Sequence, residues 1–424
     1  MLNSQRTSFS NLACLVFIIL SYVLVPKNYC QTGGEWSRFR GPNGTGISLA
    51  TGIPSTFTLA DANWRVPLKG EGHSSPVLWG ERVFVTSSDA GKKSFIVQCF
   101  KVSDGLEVWS MARPQELYRI HQFNHLASSS PATDGKRLVV LVSEPGAHTV
   151  FALDMDGKKL WERKFETIIS NHGGGVSPIF HGDKVVLAGD EENQSFLAAL
   201  DADSGNVLWK TDRTNVKTAF STPCRFVDPS GTEGLLFNSM AHGITFVDPS
   251  TGKTFWEQVD LFDKRTVSSC LVADGLVIGT CGSGGGGNYL VALKPGSAAK
   301  GASPSLAYKL RRSIPYVPTG LAKDGLLFLW SDSGIVTCVR GKSGEIVWQE
   351  RVDGRFFGSP VWAEERLFCI STTGKVVVLA ATESFRQVAV NDLGEPTHST
   401  PALAGGRLFL RTLGHLTCVA GGSE

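Results

Sequence analysis

The sequence predicts an all-β protein, an eight-bladed β-propeller of four-stranded antiparallel blades. A strand–turn–strand unit, clearest as FLAALDADSGNVLWK at residues 196–210, recurs at a period of about 46 residues, the length of one blade. The composition of 47 Gly, 10 Trp and 24 Phe, with only 4 Met, suits short strands joined by tight turns. Because a repeat array needs contacts only between neighbouring units, all eight blades can form one domain.

The repeat begins with a small polar residue, usually followed by Pro, that leads into a strand. Six copies keep this pair: Ser75-Pro76, Ser130-Pro131, Ser177-Pro178, Thr222-Pro223, Ser359-Pro360 and Thr400-Pro401. Two degenerate copies, Ser269-Cys270 and Thr319-Gly320, fill the gaps between them. We call these eight positions the strand openers, and they predict eight blades.

A tryptophan series gives an independent count of the blades. It consists of Trp64, Trp109, Trp161, Trp209, Trp256 and Trp348, with Tyr308 and the region of Phe385 in degenerate positions. A large aromatic side chain on an outer strand fills the widening wedge between neighbouring blades. Truncation of a buried aromatic costs about 3–5 kcal/mol, so we interpret these tryptophans as structural staples.

The order of the two signatures predicts how the ring closes. Trp64 precedes the first strand opener, whereas the strand at the end of the chain has no tryptophan strand after it. We therefore expect an N-terminal strand to complete the last blade, which leaves no free sheet edge. Residues 61–424 are assigned to the propeller and residues 31–60 to an extension packed on it, whose Arg38 and Arg40 could equally contact a partner.

Residues 1–30 have the organisation of an export signal. Arg6 lies in a polar start, and residues 12–25 form an apolar core that is shorter than the roughly 20 residues of a spanning helix. The signal is either cleaved or kept as an anchor. The sequence thus predicts an exported protein of the periplasm or cell envelope, without a transmembrane segment beyond this signal.

Charge and cysteine usage exclude several classes of function. The formal net charge is +2, and residues 1–30 supply it, so the rest of the chain is balanced. We therefore expect no nucleic-acid partner, and we expect a monomer. Of nine cysteines, Cys14 and Cys30 lie in the signal region, while the strand alternation points Cys338 and Cys418 into the core. These thiols are interpreted as buried small hydrophobes.

The candidate site lies in the connections just before the strand openers. In a propeller these connections gather around one mouth of the central channel. The candidate binding residues are His73, His121, His125, His172, Arg265, Tyr316, Arg355 and His398. They could bind an anionic or carbonyl-bearing ligand, a peptide or a metal, or they could simply satisfy backbone groups where strand ends meet. No catalytic, cofactor-binding or metal-ligating residue is assigned.

Two other motifs have structural interpretations. The run GSGGGG at residues 282–287 resembles a phosphate loop, but neither a Lys-Ser/Thr pair nor a helix follows it, so a hairpin loop is predicted. The acidic run at residues 190–193 lacks the spaced ligands of a calcium loop and is predicted to be a solvated hairpin tip.

The pattern from Ala199 to Trp209, echoed from Ala152 to Trp161, resembles the repeat of the pyrroloquinoline-quinone-repeat family of quinoprotein alcohol dehydrogenase-like propellers. The stretch WSRFRGPNGTGIS at residues 36–48 resembles the BamB-like exported bacterial subgroup. The resemblance implies a non-catalytic binding or scaffolding propeller of the bacterial cell envelope, in outer-membrane protein assembly. An envelope protein or a small ligand at the channel mouth is the expected partner.

The alternatives are a pyrroloquinoline quinone-dependent oxidoreductase and a small-ligand-binding propeller. In the dehydrogenases of this family, the quinone lies in the funnel beneath a disulfide between adjacent cysteines, beside a calcium ion held by Glu and Asn, with an Asp acting as base. This chain has no adjacent cysteines, and no particular Asp, Glu or Asn can be matched to those ligands. No cofactor is therefore expected, with pyrroloquinoline quinone and calcium as the alternative.

Overall fold

The computed structural model describes Met1, residues 34–192 and residues 194–421. The predicted signal over residues 1–30 therefore lies almost wholly outside the described residues. Two short 3-10 helices, Pro42–Gly44 and Leu59–Asp61, precede the first strand. Among the described residues, no helix is long and apolar enough to cross a membrane.

The described strands form eight antiparallel sheets of four strands each, which confirms the predicted fold class. The first strand, β1 (Trp64–Pro67), belongs to the last sheet. Blades 1 to 4 consist of β2 (Val77–Trp79), β3 (Arg82–Asp89), β4 (Ser94–Lys101) and β5 (Glu107–Pro114); β6 (Ala132–Thr133), β7 (Arg137–Glu144), β8 (Ala147–Asp154) and β9 (Lys159–Glu166); β10 (Ile179–His181), β11 (Lys184–Asp190), β12 (Ser195–Asp201) and β13 (Val207–Arg213); and β14 (Cys224–Val227), β15 (Glu233–Ser239), β16 (Gly243–Val247) and β17 (Thr254–Gln258).

Blades 5 to 8 continue the same pattern around the central channel. They consist of β18 (Leu271–Ala273), β19 (Leu276–Cys281), β20 (Tyr289–Lys294) and β21 (Ser305–Leu310); β22 (Leu321–Lys323), β23 (Leu326–Trp330), β24 (Ile335–Arg340) and β25 (Ile346–Arg351); β26 (Val361–Ala363), β27 (Arg366–Ile370), β28 (Lys375–Ala380) and β29 (Gln387–Asp392); and β30 (Ala402–Ala404), β31 (Arg407–Arg411) and β32 (His415–Ala420), completed by β1. The pairing of β1 with β32, with Trp64 opposite Cys418, confirms the predicted closure of the ring.

The strand openers form a closed ring of eight hydrogen bonds between neighbouring blades. In each, a backbone N–H donates to the side-chain hydroxyl of the next opener: Ser75 to Ser130 (2.8 Å), Ser130 to Ser177 (3.0 Å), Ser177 to Thr222 (3.3 Å), Thr222 to Ser269 (3.1 Å), Ser269 to Thr319 (2.9 Å), Thr319 to Ser359 (3.0 Å), Ser359 to Thr400 (3.0 Å) and Thr400 to Ser75 (3.0 Å). Because these groups are buried, each N–H needs a partner, and the hydroxyl provides it. The repeated Ser or Thr is therefore a joint between blades.

The tryptophans join the outer part of each blade to the next blade along the chain. The Trp209 ring covers the turn glycine Gly252 of blade 4 so closely that a Cβ there would lie 2.5 Å from the indole. Its Nε1–H donates to Pro249 O (3.0 Å) in that same turn. Four other tryptophans make the equivalent bond to the next blade: Trp64 to Val102 O, Trp109 to Met155 O, Trp161 to Ala202 O and Trp348 to Thr382 O.

Two positions of the series depart from this rule. Trp256 is buried, but its Nε1 has no hydrogen-bond partner, because the turn it faces in blade 5 is replaced by a long loop between β20 and β21. In blade 7 the residue opposite Val378 is Ala389, and Phe385 instead packs against the Trp348 ring. The N-terminal extension covers this position, where Phe57 N–H donates to Asn391 Oδ1 (2.8 Å).

The segment from Trp36 to Ser48 crosses the inner strands of several blades. Trp36 pairs with Leu78 of blade 1, and Ser48 N–H donates to Trp362 O of blade 7 (2.9 Å). Between these ends, Arg38 donates to Pro223 O (2.8 Å), while Arg40 donates to Gly320 O (2.8 Å) and Pro360 O (3.3 Å). Both arginines are buried, with Arg40 completely inaccessible.

These contacts settle the role of the two arginines. The alternative that Arg38 and Arg40 contact a partner is wrong, because their guanidinium groups bind carbonyl oxygens that the short inner strands leave unpaired. Burial lowers the pKa of Arg38 to about 10 and that of Arg40 to about 9, so both stay cationic at neutral pH. The seven cysteines of the described chain are free and buried, as predicted.

Candidate functional site

A funnel of about 870 Å³ opens at the channel mouth formed by the connections between blades. Seven of the eight predicted residues line it: His73, His121, His172, Arg265, Tyr316, Arg355 and His398. The eighth, His125, lies just behind the wall, with its ring 5.6 Å from that of His73. Phe39 of the N-terminal segment and the strand openers Ser75, Thr319, Ser359 and Thr400 also line this cavity.

The histidines occupy one side of the funnel, on four consecutive connections from blade 7 to blade 3. The His73 and His398 rings lie 4.3 Å apart, and the His121 and His172 rings stack at 5.4 Å. His398 Nδ1 is 3.0 Å from Phe123 O, while the Nδ1 of His73 is buried without a hydrogen-bond partner. The chain therefore brings imidazoles together that are more than 300 residues apart in sequence.

His73, His125, His172 and His398 are neutral at pH 7, because their surroundings lower the pKa of each imidazole. Burial holds the pKa of His73 well below its usual value and, together with Arg411, lowers that of His125 to about 4. Burial also lowers the pKa of His172 and His398. Arg411 is completely buried behind this wall and donates to Ser74 O (3.1 Å) and to Thr86 O, and no carboxylate of the described residues lies at ion-pair distance from it.

The permanent positive charge lies on the three consecutive connections from blade 4 to blade 7, and Arg265 Nη2 lies 3.5 Å from His172 Nδ1. Arg265, Arg311 and Arg355 line the funnel there. The Arg355 guanidinium carbon lies 5.4 Å from the Phe123 ring centroid and 5.8 Å from that of Phe357. Arg265 is held by Thr218 O (3.0 Å) and has Glu192 at 3.7 Å. Within the described chain, Arg311 and Arg355 have no carboxylate at ion-pair distance.

Asp332 is the one carboxylate among the funnel-lining residues, and it does not neutralise the arginines by contact. It accepts hydrogen bonds from Tyr316 N–H (2.6 Å) and Val317 N–H (3.1 Å). Burial raises its pKa, while these backbone bonds oppose the shift. The carboxylate therefore fixes the connection that carries Tyr316, and the guanidinium groups of Arg311 and Arg355 remain available to a ligand.

Sequence reasoning missed the role of the glycine run. Gly282–Gly287 forms the predicted hairpin loop between β19 and β20, yet Ser283, Gly284, Gly286 and Gly287 line the funnel beside the arginines. Nothing lies within 4 Å of a Cβ placed at Gly284 or Gly286, so this loop exposes bare backbone. The glycine run lies at the same end of blade 5 as Arg265 and Arg311, and this position could have indicated that it lines the funnel.

At Asp190 and Glu191, the acidic run is not the solvated tip that the sequence suggested. Asp190 is buried against Arg213, and the Glu191 carboxylate lies 3.2 Å from His148 Nε2. Glu191 Oε2 also accepts a hydrogen bond from Thr218 Oγ1 (3.1 Å), so it ties one funnel connection to the blades. Buried charges occur almost only when they are paired, which explains the difference.

His148 also contacts Ser143, and the three side chains superficially resemble a hydrolytic triad. Ser143 Oγ lies 2.8 Å from His148 Nδ1. Ser143 is only 4% exposed, and a Cβ at Gly174 would lie 2.2 Å from its hydroxyl. No substrate has room to approach this hydroxyl, so the network is structural.

The funnel does not fit pyrroloquinoline quinone with calcium. Both carboxylate oxygens of Asp332 accept hydrogen bonds from backbone N–H groups, and Glu192, which lies 3.7 Å from Arg265, is not among the funnel-lining residues. Across the described ranges, no three His, Cys, Asp or Glu side chains are grouped to hold a metal ion. The buried cysteines are all free, so they form no disulfide that could cover a quinone.

Comparisons with known proteins show the family and the fold of the chain. The model of the family described as outer membrane protein assembly factor BamB matches residues 93–275 and 292–419, well over half of the chain. A curated relative, outer membrane protein assembly factor BamB of Moranella endobia (strain PCIT), is 27% identical over 205 residues, which are 46% of this chain and 49% of that protein. The match therefore spans about half the length of this relative.

Solved structures show the same fold at low sequence identity. BamB from Moraxella catarrhalis superposes with a TM-score of 0.62 at 16% identity, covering 85% of this chain and 97% of that chain. Quinohemoprotein alcohol dehydrogenase from Comamonas testosteroni superposes with a TM-score of 0.67 at 13% identity, covering 94% and 82%. At these identities the two likenesses show the fold alone. It is the family match along the blades that identifies the chain as a member of the outer membrane protein assembly factor BamB family.

Proposed function

We propose that the protein is a non-catalytic binding propeller of the bacterial cell envelope that serves in the assembly of outer-membrane proteins. The observation that carries the proposal is the family match over residues 93–275 and 292–419, which spans most of the propeller. The chemistry of the funnel supports it. Arginines, imidazoles and exposed backbone are groups that bind a partner.

The proposed binding face is the funnel mouth, and no cofactor is needed there. Seven candidate residues from separate blades converge on one cavity, so a single partner segment can contact all of them. A quinone-dependent dehydrogenase is the less favoured function, because the funnel offers neither the carboxylate ligands for calcium nor a disulfide cover.

Gene deletion with complementation tests this function. Cells that lack the gene should contain less folded β-barrel protein in the outer membrane, and the full-length wild-type chain should restore the amount. The folded fraction is measured by heat-modifiable migration of a porin on gels. Unchanged porin assembly in the deletion strain would refute the proposed function. Reduction of a redox dye by protein incubated with pyrroloquinoline quinone and calcium would instead establish the dehydrogenase.

A further inference from the structure

The distribution of charge in the funnel is asymmetric. Arg265, Arg311 and Arg355 occupy three consecutive connections, and His398, His73, His121 and His172 occupy four other consecutive connections. Beyond the N-terminal signal region, acidic and basic residues balance, with 39 of each. Arg265 is paired with Glu192, whereas Arg311 and Arg355 have no described carboxylate at ion-pair distance, so unpaired positive charge lines the concave mouth, where a low-dielectric wall strengthens its field.

Two of these arginines are free for a ligand. Arg311 and Arg355 contact the faces of aromatic rings, with the Arg311 guanidinium carbon 5.1 Å from the Tyr289 ring centroid, and neither donates a hydrogen bond to another described side chain or carbonyl. A guanidinium on an aromatic face keeps its edge of N–H donors exposed, and that edge matches a carboxylate in bidentate geometry. The N–H donors of Arg311 and Arg355 are therefore available to bind a carboxylate.

The remainder of the funnel suits an extended polypeptide. Gly284 and Gly286 expose backbone without a side chain in the way, so another chain can approach and form main-chain hydrogen bonds. Phe123 and Phe357, whose rings lie 5.3 Å apart, provide an apolar wall next to Arg355. Phe39 and the opener ring bound the cavity, so a segment enters from the mouth.

From this arrangement we infer that the funnel binds an acidic, extended polypeptide segment, whose carboxylates pair with Arg311 and Arg355 and whose backbone contacts the glycine loop at residues 282–287. The inference rests on the proposed function, because it names the chemistry of the segment that a client or partner presents to this face. A membrane phosphate is the less favoured source of anionic oxygen, since the charge lies inside a concavity and the body of the protein is neutral.

The test measures binding of a fluorescein-labelled peptide of four Glu-Ala repeats to the full-length protein by fluorescence anisotropy. The matched probe is the same peptide with Gln in place of Glu. The test variant is the double substitution R311Q and R355Q, which removes no internal hydrogen bond that the structure shows. The control variant is Arg386→Gln, an exposed arginine immediately before β29, outside the funnel.

We expect saturable binding of the Glu peptide that weakens at least about tenfold in the double variant, is unchanged in R386Q, and falls steeply with added salt. Equal binding of the Gln peptide, or equal loss in R386Q, would overturn the inference. Displacement of the Glu peptide by an equal concentration of inorganic phosphate would also overturn it. The inference would fail as well if the protein did not bind the peptide but sedimented with phosphatidylglycerol vesicles in a way that depends on these arginines. If the peptide fails to bind but the wild-type chain still restores porin assembly, the inference fails and the proposed function stands.

Discussion

Removal of one hydroxyl from the opener ring should destabilise the protein measurably. The substitution S130A deletes the acceptor of the Ser75 N–H, whose 2.8 Å hydrogen bond joins blade 1 to blade 2. Ser130 is 1% exposed and so is Ser75, so water cannot replace the lost partner. A buried donor left without an acceptor costs about 1–3 kcal/mol, and we expect the free energy of unfolding to fall by that amount.

The control is S130T, because threonine already serves as the acceptor at Thr222, Thr319 and Thr400 in the same ring. It keeps the hydroxyl and should retain most of the stability. Urea unfolding followed by tryptophan fluorescence gives the free energies, and amide hydrogen exchange reports on the Ser75 N–H directly. If S130A unfolds at the wild-type urea concentration and its Ser75 amide stays equally protected, the hydrogen bond does not join the blades as described.

Three further changes test other parts of the fold. W209F should cost roughly 1 kcal/mol more than W256F in urea unfolding, because only Trp209 donates to a backbone carbonyl; equal losses would contradict the staple model. R40M should cost at least about 2 kcal/mol and make residues 36–60 sensitive to limited proteolysis, because carbonyls of blades 6 and 7 lose their donor; an uncut segment would argue against this anchor. The wild-type protein should lose stability as the pH falls from about 6.5 to about 4, since the unfolded chain binds a proton that folded His125, with a pKa of about 4, does not. Over this pH range the free energy of unfolding of H125Q should fall by on the order of 2–3 kcal/mol less than that of the wild type. If the free energy of unfolding has the same pH slope in both proteins, this assignment to His125 is refuted.

The sequence was sufficient to predict the blade count, the closing strand and the convergence of the candidate residues, because each depends on a repeated local signal. The opener and the tryptophan recur at blade spacing, and the topology of a closed ring then fixes which connections share a mouth. The position of His398 beside His73 follows from ring closure, although the two residues are far apart in sequence.

The features that the sequence did not reveal depend on pairing between different blades. Glu191 looked solvated because its partners, His148 and Thr218, lie in a neighbouring blade and in the next connection. Arg40 looked available to a partner because its acceptors, the carbonyls of Gly320 and Pro360, have no sequence signature. Charge burial is decided by such tertiary contacts, and no local pattern encodes them.

Site-specific photo-crosslinking in living cells tests most directly the central claim that the funnel mouth is the binding face. A benzophenone amino acid replaces Phe357 in the funnel wall or, as the control, the exposed Leu208 on an outer strand of blade 3. We predict that the Phe357 position forms adducts with outer-membrane proteins or their assembly partners, and that R311Q with R355Q reduces their yield. Adducts that arise at Leu208 and not at Phe357 would contradict the account.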